Sequence, residues 1–111
     1  MNESNPEQTL ADIEGEYEAA KLTRRQKRDA LRAARGRYHA ELVLRREAGE
    51  KLTISDMQAL ENVAIDSVDY VRKAYLEFGE AESNFSIKSV ALNQATRDYW
   101  DSKPLKYGPS K

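Results

Sequence analysis

AGEKLTISDM, residues 48–57, decides the fold, because it contains a helix stop followed at once by a helix start. Gly49 is a natural C-terminal stop, since glycine accepts the left-handed backbone on which helices commonly end. Thr53 with Asp56, and again Ser55 with Gln58, match the capping-box spacing. In that pattern a hydroxyl and a side chain three residues later satisfy each other's free backbone amides. Leu52, just before the cap, is placed to staple onto Met57.

Upstream of this punctuation, Asn5 is a cap residue and Pro6 suits the first helical position, where its missing N–H costs nothing. Leu10, Ile13, Tyr17, Ala20, Leu31, Ala34 and Tyr38 then fall on one helical row of alternating three- and four-residue steps. Arg24 and Lys27 occupy the same row and interrupt its apolar character, either by stacking on facing rings or by forming a polar layer that fixes register. Downstream, a second row runs through Ile54, Met57, Glu61, Ala64, Val68, Val71, Tyr75, Phe78, Glu82, Phe85, Ser89, Leu92, Thr96 and Tyr99 until Pro104. The spacing predicts a helix over 6–48, a turn over 49–53, a second helix over 54–102 and a short tail over 103–111, all in one domain.

Two long helices joined by a short turn fold back on each other. The expected fold class is therefore all-α, a long antiparallel helical hairpin of coiled-coil type, completed by oligomerisation. A turn near residue 51 sets residue i beside residue 102 − i, so Tyr17 meets Phe85, Leu31 meets Val71, Ala34 meets Val68 and Tyr38 meets Ala64. In the same register Lys88 faces the acids of 12–18, and the basic stretch 21–37 faces Asp66, Asp69, Glu77 and Glu80. Gly79 is the weak point of the second helix, and a break there would give a three-helix bundle instead.

Composition narrows the function classes. The chain has 111 residues, 33% of them charged, no cysteine and a single histidine, His39. Disulfide frameworks and thiolate sites are excluded, and one histidine cannot make a histidine-pair metal site. No glycine-rich phosphate loop is present, and a helical rod offers no concave pocket for converging groups. The sequence reads as a non-enzyme, with no catalytic residues, metal, cofactor or small-molecule substrate. The N-terminus lacks a secretory pattern and no apolar run spans a membrane, which predicts a protein of the cytoplasm or of a soluble assembly.

The formal net charge of −1 hides segregation. Residues 1–20 carry six acids and no base, whereas residues 21–48 carry ten bases and three acids. Lys21, Arg25, Arg28, Arg32, Arg35 and His39 step along one helical flank, and Arg46 comes seven residues later. Such a stripe is either half of a charge zipper or a track for a phosphate backbone. On the second helix Leu60, Val63, Tyr70, Ala74 and Leu76 lie off the main row and widen its apolar face. Tyr99, Trp100, Leu105 and Tyr107 form an aromatic anchor near the end.

These features support two function classes. The leading one is an assembly, adaptor or inhibitor protein that packs helices against a second copy or a protein partner. The alternative is an oligomeric accessory protein that binds nucleic acid without sequence specificity through the cationic stripe. Single-stranded DNA in viral or mobile-element recombination is the ligand that would suit it.

Overall fold

The computed structural model describes residues 6–103, and every element among them is helical. α1 spans Pro6–Glu47, α2 Ile54–Asn62, α3 Ala64–Ser67 and α4 Asp69–Ser102. The all-α helical hairpin expected from the sequence is the architecture observed. The Asn5 cap and the Pro104 stop lie outside the described residues. Contacts divide the chain into a central unit, residues 23–82, and a terminal unit, residues 1–22 with 83–111.

In the central unit the chain reverses between α1 and α2 by two successive devices. The Glu50 N–H donates to the Arg45 carbonyl and the Gly49 N–H to the Arg46 carbonyl, each at 3.1 Å, which is the Schellman closure of a helix. Gly49 sits at φ 107°, a left-handed conformation in which a Cβ would crowd the carbonyl. Arg45 reaches over the turn to Glu50, with Nε donating at 2.8 Å, and this bond holds the Glu50 carboxyl below its ordinary range. The Thr53 capping box then starts α2: the Asp56 N–H donates to Thr53 Oγ1 and the Thr53 N–H to Asp56 Oδ2, both at 3.0 Å. Chiefly through the Thr53 N–H, the box depresses the Asp56 carboxyl as well.

This reversal lays α1 against α2, α3 and the first turns of α4, and a core forms between them. Tyr38, Leu42, Met57, Ala64 and Val71 make one buried cluster, flanked by Ala34, Val43, Leu52, Leu60, Ile65, Val68 and Tyr70. Leu52 thus joins the cluster that holds Met57, as a staple should. Leu42 and Val71 are completely enclosed.

The second helical stretch breaks, but not at Gly79. α2 ends at Asn62, the short α3 intervenes, and Val68 is extended at φ −117°, ψ 112° before α4 begins. The window 62–69, Asn-Val-Ala-Ile-Asp-Ser-Val-Asp, explains the site of the break. Three β-branched residues lose rotamer freedom in a helix, and four Asn, Asp or Ser residues compete for backbone hydrogen bonds. The competition is visible where the Ser67 hydroxyl donates to the Val63 carbonyl at 3.0 Å. Gly79, between strong helix formers, stays inside an unbroken α4.

Beyond the break, α4 turns a different edge inward from the one its periodicity suggests. Val71, Phe78, Phe85, Leu92 and Tyr99 face inward as expected. Between them Ala81 and Ala95 are buried and Ala74 and Lys88 half-buried, while Glu82, Ser89 and Thr96 are half-buried and Tyr75 is exposed. Small alanines at the seam let two backbones approach, whereas the Tyr75 ring would hold them apart.

The terminal unit pairs the start of α1 with the end of α4. Tyr17 packs on Phe85 with ring centroids 5.3 Å apart, the contact that the 102 − i register requires. Lys88 donates to Glu16 at 2.8 Å and Lys103 to Glu7 at 3.3 Å. Among the described residues, Ala20, Ala81 and Ala95 are the buried ones outside the main cluster, Ala81 belonging to the central unit and the other two to the terminal one.

Candidate functional site

Each cationic residue of the central unit either meets a carboxylate or is left facing solvent, and the helix row decides which. Arg24 and Lys27 sit on the inward row of α1, so their heads reach acids of α4. Arg24 Nε lies 3.0 Å from Glu82 Oε2, and Lys27 Nζ 2.9 Å from Glu77 Oε1. Bonding to Lys27 holds the Glu77 carboxyl below the ordinary carboxylate range. The polar layer expected at these positions is therefore an ion-pair layer.

The stripe residues lie on the outer flank and miss those acids. Arg25, Arg32 and Arg35 are exposed and make no ion pair with any described residue. Arg28 touches only its neighbour Asp29, at 3.8 Å. His39 reaches Glu61, Nδ1 to Oε2 at 3.0 Å. Arg46 lines a 470 Å³ groove with His39, Val43, Ile54, Met57, Gln58 and Glu61. Lys21, the first residue of the stripe, is exposed in the terminal unit.

The apolar positions singled out on the second stretch divide in two. Leu60 and Tyr70 pack against the central core, and Ala74 is half-buried. Tyr70 lies beneath Arg37, whose guanidinium carbon is 3.9 Å from the ring centroid. Its hydroxyl is shut off from water without a well-formed hydrogen bond. Burial first, and then the nearby Glu41 carboxylate, push that phenol up from its ordinary range. Val63, at the helix break, and Leu76 remain exposed. Tyr99 is half-buried with its ring edge-on to Trp100 at 5.3 Å, and Trp100 itself is exposed. Leu105 and Tyr107 lie outside the described residues.

Exposed apolar side chains also occur away from the positions that periodicity singles out. Ile87 and Val90, three residues apart on α4 in the terminal unit, are 64% and 68% exposed. A signal for them exists in the chain, since both stand outside the second row at helical spacing. The terminal unit also carries a 420 Å³ apolar groove lined by Thr9, Ile13, Ala91, Gln94, Ala95, Asp98 and Tyr99.

Among the described residues no three or more His, Asp or Glu side chains gather as a metal site would require. No described helix is long and apolar enough to cross a membrane. Comparison of the chain with protein-family models, with curated proteins and with solved structures gave no match.

Proposed function

We propose that this protein is a non-enzymatic assembly protein whose helices pack against a second copy of the chain. The observation that carries the reading is the balance of apolar side chains. Eight hydrophobic residues are buried, four of them alanines, while nine large hydrophobic residues among those described stay exposed. A helix pair encloses one seam, and small units with so little core gain most of their missing burial from association. Ile87 and Val90 are the residues we assign to the contact, because they are the most exposed aliphatic pair on one helix.

Light-scattering mass tests this directly. The wild-type chain should run as a multiple of 12.7 kDa, and an Ile87→Glu, Val90→Glu double variant should return to the single-chain mass with its helical signal kept. A wild-type monomer that unfolds cooperatively across the micromolar range would overturn the proposal. So would assembly that survives both substitutions.

A further inference from the structure

We infer that the exposed arginine row of α1 in the central unit, Arg25, Arg28, Arg32 and Arg35, binds the phosphate backbone of a nucleic-acid duplex. The argument starts from what the fold does with the central unit's acids. Glu77 and Glu82 are taken by Lys27 and Arg24, Glu61 by His39, Asp69 by Arg72, Glu41 by Arg37 and Glu50 by Arg45. Asp56 is committed to the Thr53 cap. Glu47, Asp66 and Glu80 pair with no described cation, yet three of the four stripe arginines still have no carboxylate partner among the described residues, and Arg28 has only a long contact to its neighbour. A charge zipper would have spent these groups on the facing helix, whereas the inward Arg24 and Lys27 make that zipper instead.

The geometry suits a linear polyanion. The four guanidinium groups step by three, four and three residues along one helix, so they span about 15 Å at 1.5 Å per residue. Arginine forks pair with phosphate oxygens bidentately and remain charged at any working pH. The same geometry disfavours a single strand as the preferred form. Single-strand binders stack bases on exposed rings, yet Tyr38, the ring on this part of α1, is buried in the core. Contact through phosphates alone favours the ligand with the highest charge density, which is the duplex.

Fluorescence anisotropy with a labelled 20-base-pair duplex (a probe length of about two helical turns) and with one of its strands tests this. Four neutralised phosphates give a slope of about −3.6 for log K against log salt on duplex, so affinity should fall ~150-fold between 50 and 200 mM salt. An Arg28→Gln, Arg32→Gln variant should lose about half of that slope, and an Arg28→Lys, Arg32→Lys variant should keep it. Arg25→Gln with Arg35→Gln provides a second pair, and circular dichroism verifies that each variant folds. Absence of duplex binding at 50 mM salt would overturn the inference, as would tighter binding of the single strand or an unchanged slope in both glutamine variants. A glutamine variant that alters light-scattering mass and not duplex affinity would make the row a protein contact, which also overturns it. Neither result bears on Ile87 and Val90, so the assembly reading stands or falls separately.

Discussion

Leu42 and Leu44 lie two residues apart on α1, and truncating each to alanine should have very different effects. Leu42 is completely enclosed among Tyr38, Met57, Ala64 and Val71, whereas Leu44 is 64% exposed. Leu→Ala removes three carbons, and at about 0.8 kcal/mol for each buried methylene the lost transfer energy at Leu42 is ~2.4 kcal/mol. The cavity left behind adds to this, because helices fixed by a Schellman turn and a capping box close over the gap only in part. Leu42→Ala should therefore cost about 3 kcal/mol, inside the ~2–5 kcal/mol seen for enclosed leucines. In a chain of this length that is a fall of ~12 °C in Tm. Leu44→Ala forfeits only the covered third of its side chain and should cost under ~1 kcal/mol. Urea unfolding followed at 222 nm, with both variants at one protein concentration, measures the difference. If Leu42→Ala falls within ~0.5 kcal/mol of wild type, or no lower than Leu44→Ala, the core has been placed wrongly.

Local chemistry leads to further expected outcomes. Glu77, Glu50 and Asp56 all have folded pKa values below their ordinary 4.5, 4.5 and 3.8, held there by Lys27, Arg45 and the Thr53 N–H respectively. For depressed carboxylates the stabilisation is present above the ordinary value and is lost as pH falls through the folded one. The urea midpoint should thus hold down to about pH 4.5 and decline below it, and Glu77→Gln should soften the decline; a midpoint that rises on acidification would refute the assignment. Gly79→Ala should stabilise α4 by about 0.5–1 kcal/mol, since an added Cβ meets nothing within 4 Å. Gly49→Ala should instead destabilise by about 1–2 kcal/mol, because φ 107° crowds a Cβ, and thermal unfolding of the two variants should shift in opposite directions.

Much of this molecule is legible in the order of its residues. The reversal at 48–57 is encoded locally, in a glycine that can take the left-handed backbone and a threonine and aspartate at capping distance. Local signals of this kind involve groups within a few residues, so they need no knowledge of distant packing. The antiparallel pairing is a consequence of the reversal, and Tyr17 against Phe85 and Glu16 with Lys88 keep the expected register to within two residues, whereas the long side chains of Arg24 and Lys103 reach acids four and eight residues away from it. The break at 62–69 is also written there, in β-branched and short polar residues, although the low helix propensity of a lone glycine points to 79 instead.

What the sequence could not fix was the rotation of α4 about its own axis. A seven-residue repeat anchored on Val71, Phe78, Phe85, Leu92 and Tyr99 can be filled in from either side. One choice brings Tyr75, Glu82, Ser89 and Thr96 inward, and the other Ala74, Ala81, Lys88 and Ala95. Periodicity weighs both alike, since each alternates steps of three and four. Only packing against α1 selects between them, and that selection is a property of two surfaces at once. The fate of the charges depends on it in turn. Sequence alone established that residues 21–48 are basic; the tertiary structure decided that Arg24 and Lys27 meet the carboxylates of α4 while Arg25, Arg32 and Arg35 face solvent. Ion pairing requires about 4 Å between charged atoms, and no pattern along one chain supplies that distance until the second helix is in place.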